Sequence, residues 1–151
     1  MIRLAGPDDR HTVEEIVTAA YVHYVERIGK PPAPMLDNYG ALIDADRVHV
    51  LEEDDRTIAA LLVLQPQPDH LLLDNIAVRP NRQGRGLGRQ LIAFAEDEAR
   101  RLGHGELRLY THVKMVENIA LYTRLGFAET GRAQEAGYDR VFMTKRLDPA
   151  G

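Results

Sequence analysis

"VRPNRQGRGLG", residues 78–88, sets three glycines and three arginines between an apolar run and a helical pattern. The run before it, "HLLLDNIAV" (70–78), reads as a strand. After it, Leu87, Leu91, Ile92, Ala95, Ala99 and Leu102 fall on one helical face that stops at Gly103. In a strand, elbow and helix in this order, the free N–H groups of the helix's first turn and the positive end of its dipole point back at the elbow. Gly84, Gly86 and Gly88 let a ligand come close to that backbone, and a pyrophosphate is the natural occupant. The plainer alternative is a turn that joins strand to helix and carries surface arginines.

Two other glycine motifs fit worse. A P-loop needs Lys-Ser or Lys-Thr after its last glycine, and Gly88 is followed by Arg89 and Gln90. The dinucleotide fingerprint would start at Gly84 and Gly86 and require glycine where Arg89 stands, so an NAD-dependent oxidoreductase is a weak reading.

Working outward, residues 8–29 form an amphipathic stripe of Val13, Ile16, Val17, Ala20, Tyr21, Tyr24 and Ile28. This predicts one helix, capped by Asp8 or Asp9, or by a Thr12/Glu15 box, and ended by Gly29. "KPPAPML" (30–36) is then a non-helical loop. "RVHVLEED" and "RTIAALLVLQ" read as a hairpin, "ELRLYTH" as a strand, "VENIALYTRL" as a short helix ending at Gly126, and "DRVFMTKRL" as a last strand. Asp74 and Asn75 interrupt their apolar run and mark either a bulge or a site. The order gives a mixed α/β fold, one domain over residues 1–151.

Composition narrows the function. The chain has 151 residues, a net charge of -4 and no cysteine, which excludes disulfides, thiolate metal sites and a covalent thiol mechanism. The acidic balance argues against nucleic acid as partner, while Arg79, Arg82, Arg85 and Arg89 concentrate positive charge at the elbow and favour a small polyanion. No apolar run approaches the roughly 18 residues of a membrane span, and "MIRLAGPDDR" lacks the apolar stretch of a signal peptide. A cytoplasmic protein without a membrane partner is expected.

Gln83-x-x-Gly86-x-Gly88 after "NIAVRP" resembles the Q/R-x-x-G-x-G/A signature of the GCN5-related N-acetyltransferases, whose turn cradles the pyrophosphate of acetyl-coenzyme A. "ENIALYTRLGF" (117–127) looks like that family's second hallmark segment, and "VFMTKRL" is similar to its last strand. The resemblance covers nearly the whole chain. It implies an α/β (α+β) fold with a mixed, mainly antiparallel sheet flanked by helices. It also implies direct transfer of acetyl from acetyl-coenzyme A to a primary amine, small or peptide, with no metal. An acyl-coenzyme A sensor without transferase activity is the alternative, and a homodimer through sheet edges or the last strand is compatible with it.

The resemblance also implies roles. Tyr122 would protonate the leaving thiolate, though a tyrosine sharing a face with Ile119 and Leu125 also reads as core. Asp74 would accept the amine's proton, though it also reads as a strand aspartate bonded to backbone; Glu117 and His112 are reserves. An alkylammonium needs such help, because deprotonating it at pH 7 costs roughly 4 to 5 kcal/mol. Backbone of Ile76, Ala77 and Val78 would meet the pantetheine arm. Gln83, Gly84, Arg85, Gly86, Leu87, Gly88 and Arg89 would take the diphosphate, with Arg82, Arg85 or Arg89 on the ribose phosphate. Asn118 would contact the cofactor, although the pattern's asparagine position, seven before the tyrosine, holds Met115. Tyr21, Tyr24, residues 27–35, Asp37 and His112 would wall the acceptor pocket.

Overall fold

A computed structural model describes residues 1–148. Seven strands are joined in the order β1-β2-β3-β4-β5-β7-β6. They are β1 (Ile2–Leu4), β2 (Val48–Glu52), β3 (Ile58–Pro66), β4 (Leu71–Val78), β5 (Glu106–His112), β6 (Ala128–Glu135) and β7 (Tyr138–Arg146). The helices are α1 (Arg10–Tyr21), α2 (His23–Ile28), α3 (Tyr39–Asp44), α4 (Leu87–Arg101) and α5 (Val116–Arg124). The pairs β1–β2, β2–β3, β5–β7 and β6–β7 are antiparallel and β4–β5 is parallel, so the sheet is mixed and mainly antiparallel, with helices flanking it. By contacts the chain divides into two compact units, residues 1–64 with 75–92 and residues 65–74 with 93–151; β4 and α4 contribute to both.

In the first unit α1 buries Val13, Ile16, Val17 and Tyr21, the predicted stripe, and each fully buried aliphatic there contributes about 1.5–3 kcal/mol. β3 is buried continuously from Ile58 to Leu64, as a strand covered on both faces must be. The single long helix expected from residue 8 is divided. Pro7–Asp9 form a 3-10 turn, and α1 ends at Tyr21, where Val25 N–H turns back only three residues to Val22. Asp9 does not cap α1 with its side chain, because that carboxylate accepts from Gly6 N–H and pairs with Arg3 at 2.8 Å. The stretch read as a bare loop contains a 3-10 turn, Ala33–Leu36, compatible with proline in its first positions. α3 is a further short helix beyond those expected from the pattern, capped by Asn38, which accepts from Ala41 N–H at 3.0 Å.

In the second unit the burial of β5 and β7 alternates. Leu107, Leu109, Thr111, Val141 and Met143 are buried, and their neighbours on the opposite face are partly exposed. α4 carries Glu96, which pairs with Lys145 of β7. β6, likewise beyond the strands expected from the pattern, ends the strand order and is exposed at every residue. Its register slips at Thr130, between Glu129 and Gly131. A two-residue turn with positive φ at Ala136 (52°) and Gly137 (81°) joins it to β7, matching the twist of a tight hairpin.

Candidate functional site

The elbow belongs to the first unit. Gly84 and Gly86 both have φ of 80°, which glycine adopts without strain. Gly86 C=O accepts from Gln90 N–H, the first bond of α4, so the N–H groups of Leu87, Gly88 and Arg89 precede the helix ladder. Gly88 has neither positive φ nor crowding, since a Cβ there would meet nothing within 4 Å. Glycine in a first turn costs up to about 1 kcal/mol against alanine, so a small residue here makes sense where something outside the chain lies against the backbone. Arg82 pairs with Glu53 at 2.7 Å, and Arg79 with Glu15 and Ile58 C=O. Arg85 and Arg89 are exposed and make no ion pair among the described residues. Of the predicted arginines, these two are left to meet an anion.

Burial alternates without a break along β4, so Asp74 and Asn75 face opposite sides and the strand keeps its phase between them. Asn75, 3% exposed, is a structural junction in the first unit. Its Oδ1 accepts from Tyr21 Oη at 2.6 Å, its Nδ2 donates to Tyr39 Oη at 3.0 Å, and Tyr39 donates to Pro34 C=O. Tyr21 therefore anchors the 30–37 segment from within. Tyr24 is buried as well, its ring 3.9 Å from that of His23, with the Arg27 guanidinium 5.1 Å away on it. The expectation that these two tyrosines wall a pocket meets side chains that are 5% and 4% exposed; apolar burial of the stripe takes them into the core. Ile76 C=O lies 2.8 Å from Tyr21 Oη, and Val78 C=O accepts from Gln83 Nε2 at 3.4 Å. Arg79 N–H bonds Ala59 C=O, so by alternation the N–H groups of Ile76 and Val78 point away from β3.

Asp74 belongs to the second unit. β4 and β5 pair at Leu71↔Leu107 and Leu72↔Arg108, which makes Asp74 and Tyr110 the next partners on that face. Tyr110 Oη donates to Asp74 Oδ1 at 3.1 Å. That fixes the carboxylate and leaves Oδ2 without a hydrogen bond among the described residues. Arg140 of β7 lies diagonally across, its guanidinium carbon 4.2 Å from the Tyr110 ring centroid, and Phe142 is directly opposite at 6.3 Å. Neither Tyr110 nor Arg140 stood out in the sequence.

Tyr122 is 6% exposed, and the L-G-F segment explains how it is held. Gly126 (φ 100°) closes α5, Gly126 N–H bonds Thr123 C=O, and Phe127 N–H reaches back to Tyr122 C=O at 3.0 Å. The Phe127 ring then meets the Tyr122 ring edge-on, centroids 5.8 Å apart. Gly126→Ala puts a Cβ at positive φ, 3.0 Å from Lys145 Cε, and is expected to cost about 1–2 kcal/mol in urea unfolding.

His112 Nδ1 accepts from Lys114 N–H at 3.1 Å, so the ring in its neutral form carries the proton on Nε2. Its ring also stands edge-on to Tyr138 at 6.1 Å. Glu117 is exposed in the first turn of α5, and Asn118 follows it, half-buried. Met115, in the pattern's asparagine position, is 4% exposed and makes no side-chain cap to α5. Among the described residues no helix is long and apolar enough to cross a membrane.

The sequence model of the acetyltransferase (GNAT) family matches residues 11–127. A [ribosomal protein bS18]-alanine N-acetyltransferase from Salmonella typhimurium is 43% identical over 79 residues, 52% of this chain and 53% of that one. An IAA acetyltransferase from Azospirillum brasilense is 42% identical over 72 residues, 46% of this chain and 47% of that one. The match thus spans about half the length of these relatives. The crystal structure of the ribosomal-protein-S18-alanine N-acetyltransferase from Escherichia coli superposes with a TM-score of 0.76 at 25% identity, over 100% of this chain and 96% of that one.

Proposed function

Because the chain belongs to the acetyltransferase (GNAT) family, we propose that it transfers the acetyl group of acetyl-coenzyme A to a primary amine by direct attack, without an acyl-enzyme. The observation that carries this is the elbow: unladdered N–H groups at Leu87, Gly88 and Arg89, open space where a Gly88 side chain would stand, and Arg85 and Arg89 left unpaired. Residues 83–89 hold the diphosphate, with Arg85 or Arg89 on the ribose phosphate. The N–H groups of Ile76 and Val78 pair with the pantetheine arm.

In the reaction the ammonium gives up a first proton, the amine nitrogen bonds to the thioester carbonyl carbon, the C–S bond breaks, and a second proton reaches the thiolate while the acylated nitrogen releases its surplus proton to solvent. Asp74 Oδ2 takes the first, oriented by the Tyr110 bond on Oδ1. Tyr122 delivers the second from a ring fixed by Phe127. Because a thiolate is already a fair leaving group, Tyr122→Phe is expected to lower kcat about ten- to a hundredfold, with binding of acetyl-coenzyme A unchanged.

Calorimetric titration with acetyl-coenzyme A, with NAD and ATP as parallel ligands, tests the reading. Micromolar binding of acetyl-coenzyme A alone supports it. No binding would make the elbow a connecting turn, and the roles of Tyr122 and Asp74 would fall with it.

A further inference from the structure

The second unit presents two opposite charges across one aromatic ring. At the hydroxyl of Tyr110 stands the Asp74 carboxylate, 3.1 Å away; over the face of the same ring lies the Arg140 guanidinium, 4.2 Å from the centroid. Arg140's side chain is only 17% exposed, yet among the described residues its one ion pair, with Glu135, is 3.9 Å long. That exceeds the roughly 2.7–2.9 Å of a charge-assisted hydrogen bond. A guanidinium with five N–H donors, held in place by stacking and met by a carboxylate only at the limit of contact, keeps donors for another anion.

We infer that the acceptor is a small zwitterion of the amino-acid type, its carboxylate or an isosteric oxyanion held by Arg140 and its amine turned to Asp74; this rests on the amine-acetyltransferase reading above. The two groups of such a molecule are a few ångströms apart, the scale of the ring that separates Asp74 from Arg140. A diamine or polyamine offers Arg140 only a like charge. A peptide N-terminus offers it a neutral amide where the carboxylate should be. Discrimination therefore comes from repulsion and from an unmet donor as well as from attraction. Phe142, next to Tyr110, also lines an open groove of about 770 Å³ on this sheet face, which gives the acceptor's side chain room to lie.

The test is thiol release from acetyl-coenzyme A with the amino acids, each matched to its carboxamide and its decarboxylated amine. At least one acid is expected to exceed its amide and its amine tenfold or more in kcat/KM. Arg140→Gln should raise KM for that acid about tenfold and leave the amide within a factor of three. Arg140→Lys should restore part of the preference, and Glu135→Gln, which removes the competing carboxylate, should lower KM for the acid several-fold. Amides or amines turned over as well as acids by the unaltered protein, or a peptide N-terminus acetylated while no acid is, would overturn the inference and leave the transferase standing. Loss of acetyl-coenzyme A binding, or no thiol release with any amine, would instead overturn the transferase reading.

Discussion

Gly88→Leu is expected to yield a protein at least as stable as the unaltered chain that binds acetyl-coenzyme A a hundredfold or more weakly. The two halves of this outcome have separate causes. Gly88 lies in the first turn of α4 at ordinary φ, and a Cβ there meets no protein atom within 4 Å, so replacing glycine with a good helix former gains about 0.8 kcal/mol. The same side chain fills the space in front of the N–H groups of Leu87, Gly88 and Arg89. Hydrogen bonds to a charged group contribute about 1.5–3 kcal/mol each, and losing two of them gives the stated loss. Thermal unfolding and calorimetry on one preparation check both halves. A stable variant with unchanged affinity would mean that the diphosphate does not lie on this turn.

Asp74→Asn is expected to lower kcat/KM about a hundredfold for strongly basic amines, within the usual range for loss of a general base. The substitution keeps the acceptor oxygen for Tyr110 and so preserves the local geometry, while removing the atom that takes the proton. An amine already neutral at the assay pH has no proton to shed before attack, so the deficit should shrink toward tenfold with weakly basic amines. A deficit of equal size for all amines would make Asp74 a positioning residue. An unchanged rate would turn attention to Glu117 and His112.

What could be read in advance follows from the kind of signal. The strand, elbow and helix around Gly86 and the L-G-F close of α5 rest on local rules, glycine at positive φ and an apolar stripe at helical spacing, and these are written in adjacent residues. β6 has no apolar residue larger than the alanines at 128 and 133, because an exposed edge strand buries nothing, so its eight residues carried no period to find. The site divides in the same way. Asp74 stood out as a polar residue within an apolar strand, but Tyr110 and Arg140 have meaning only through the β4–β5 and β5–β7 registers, which no local pattern encodes. Asn75 looked like a companion of Asp74 and is instead the buried junction of Tyr21 and Tyr39 on the other face.

The outermost strand has a consequence for behaviour in a crowded solution. A flat, uncharged edge offers its backbone as a template on which foreign chains add strand by strand, the first step toward amyloid. β6 spoils that template twice: the slip at Thr130 breaks its repeat, and Glu129, paired with Arg132 at 2.9 Å, puts fixed charge along the rim. The polar edge that hid this strand from sequence patterns is thus also a guard against aggregation, and copies of the chain that associate have reason to use another surface.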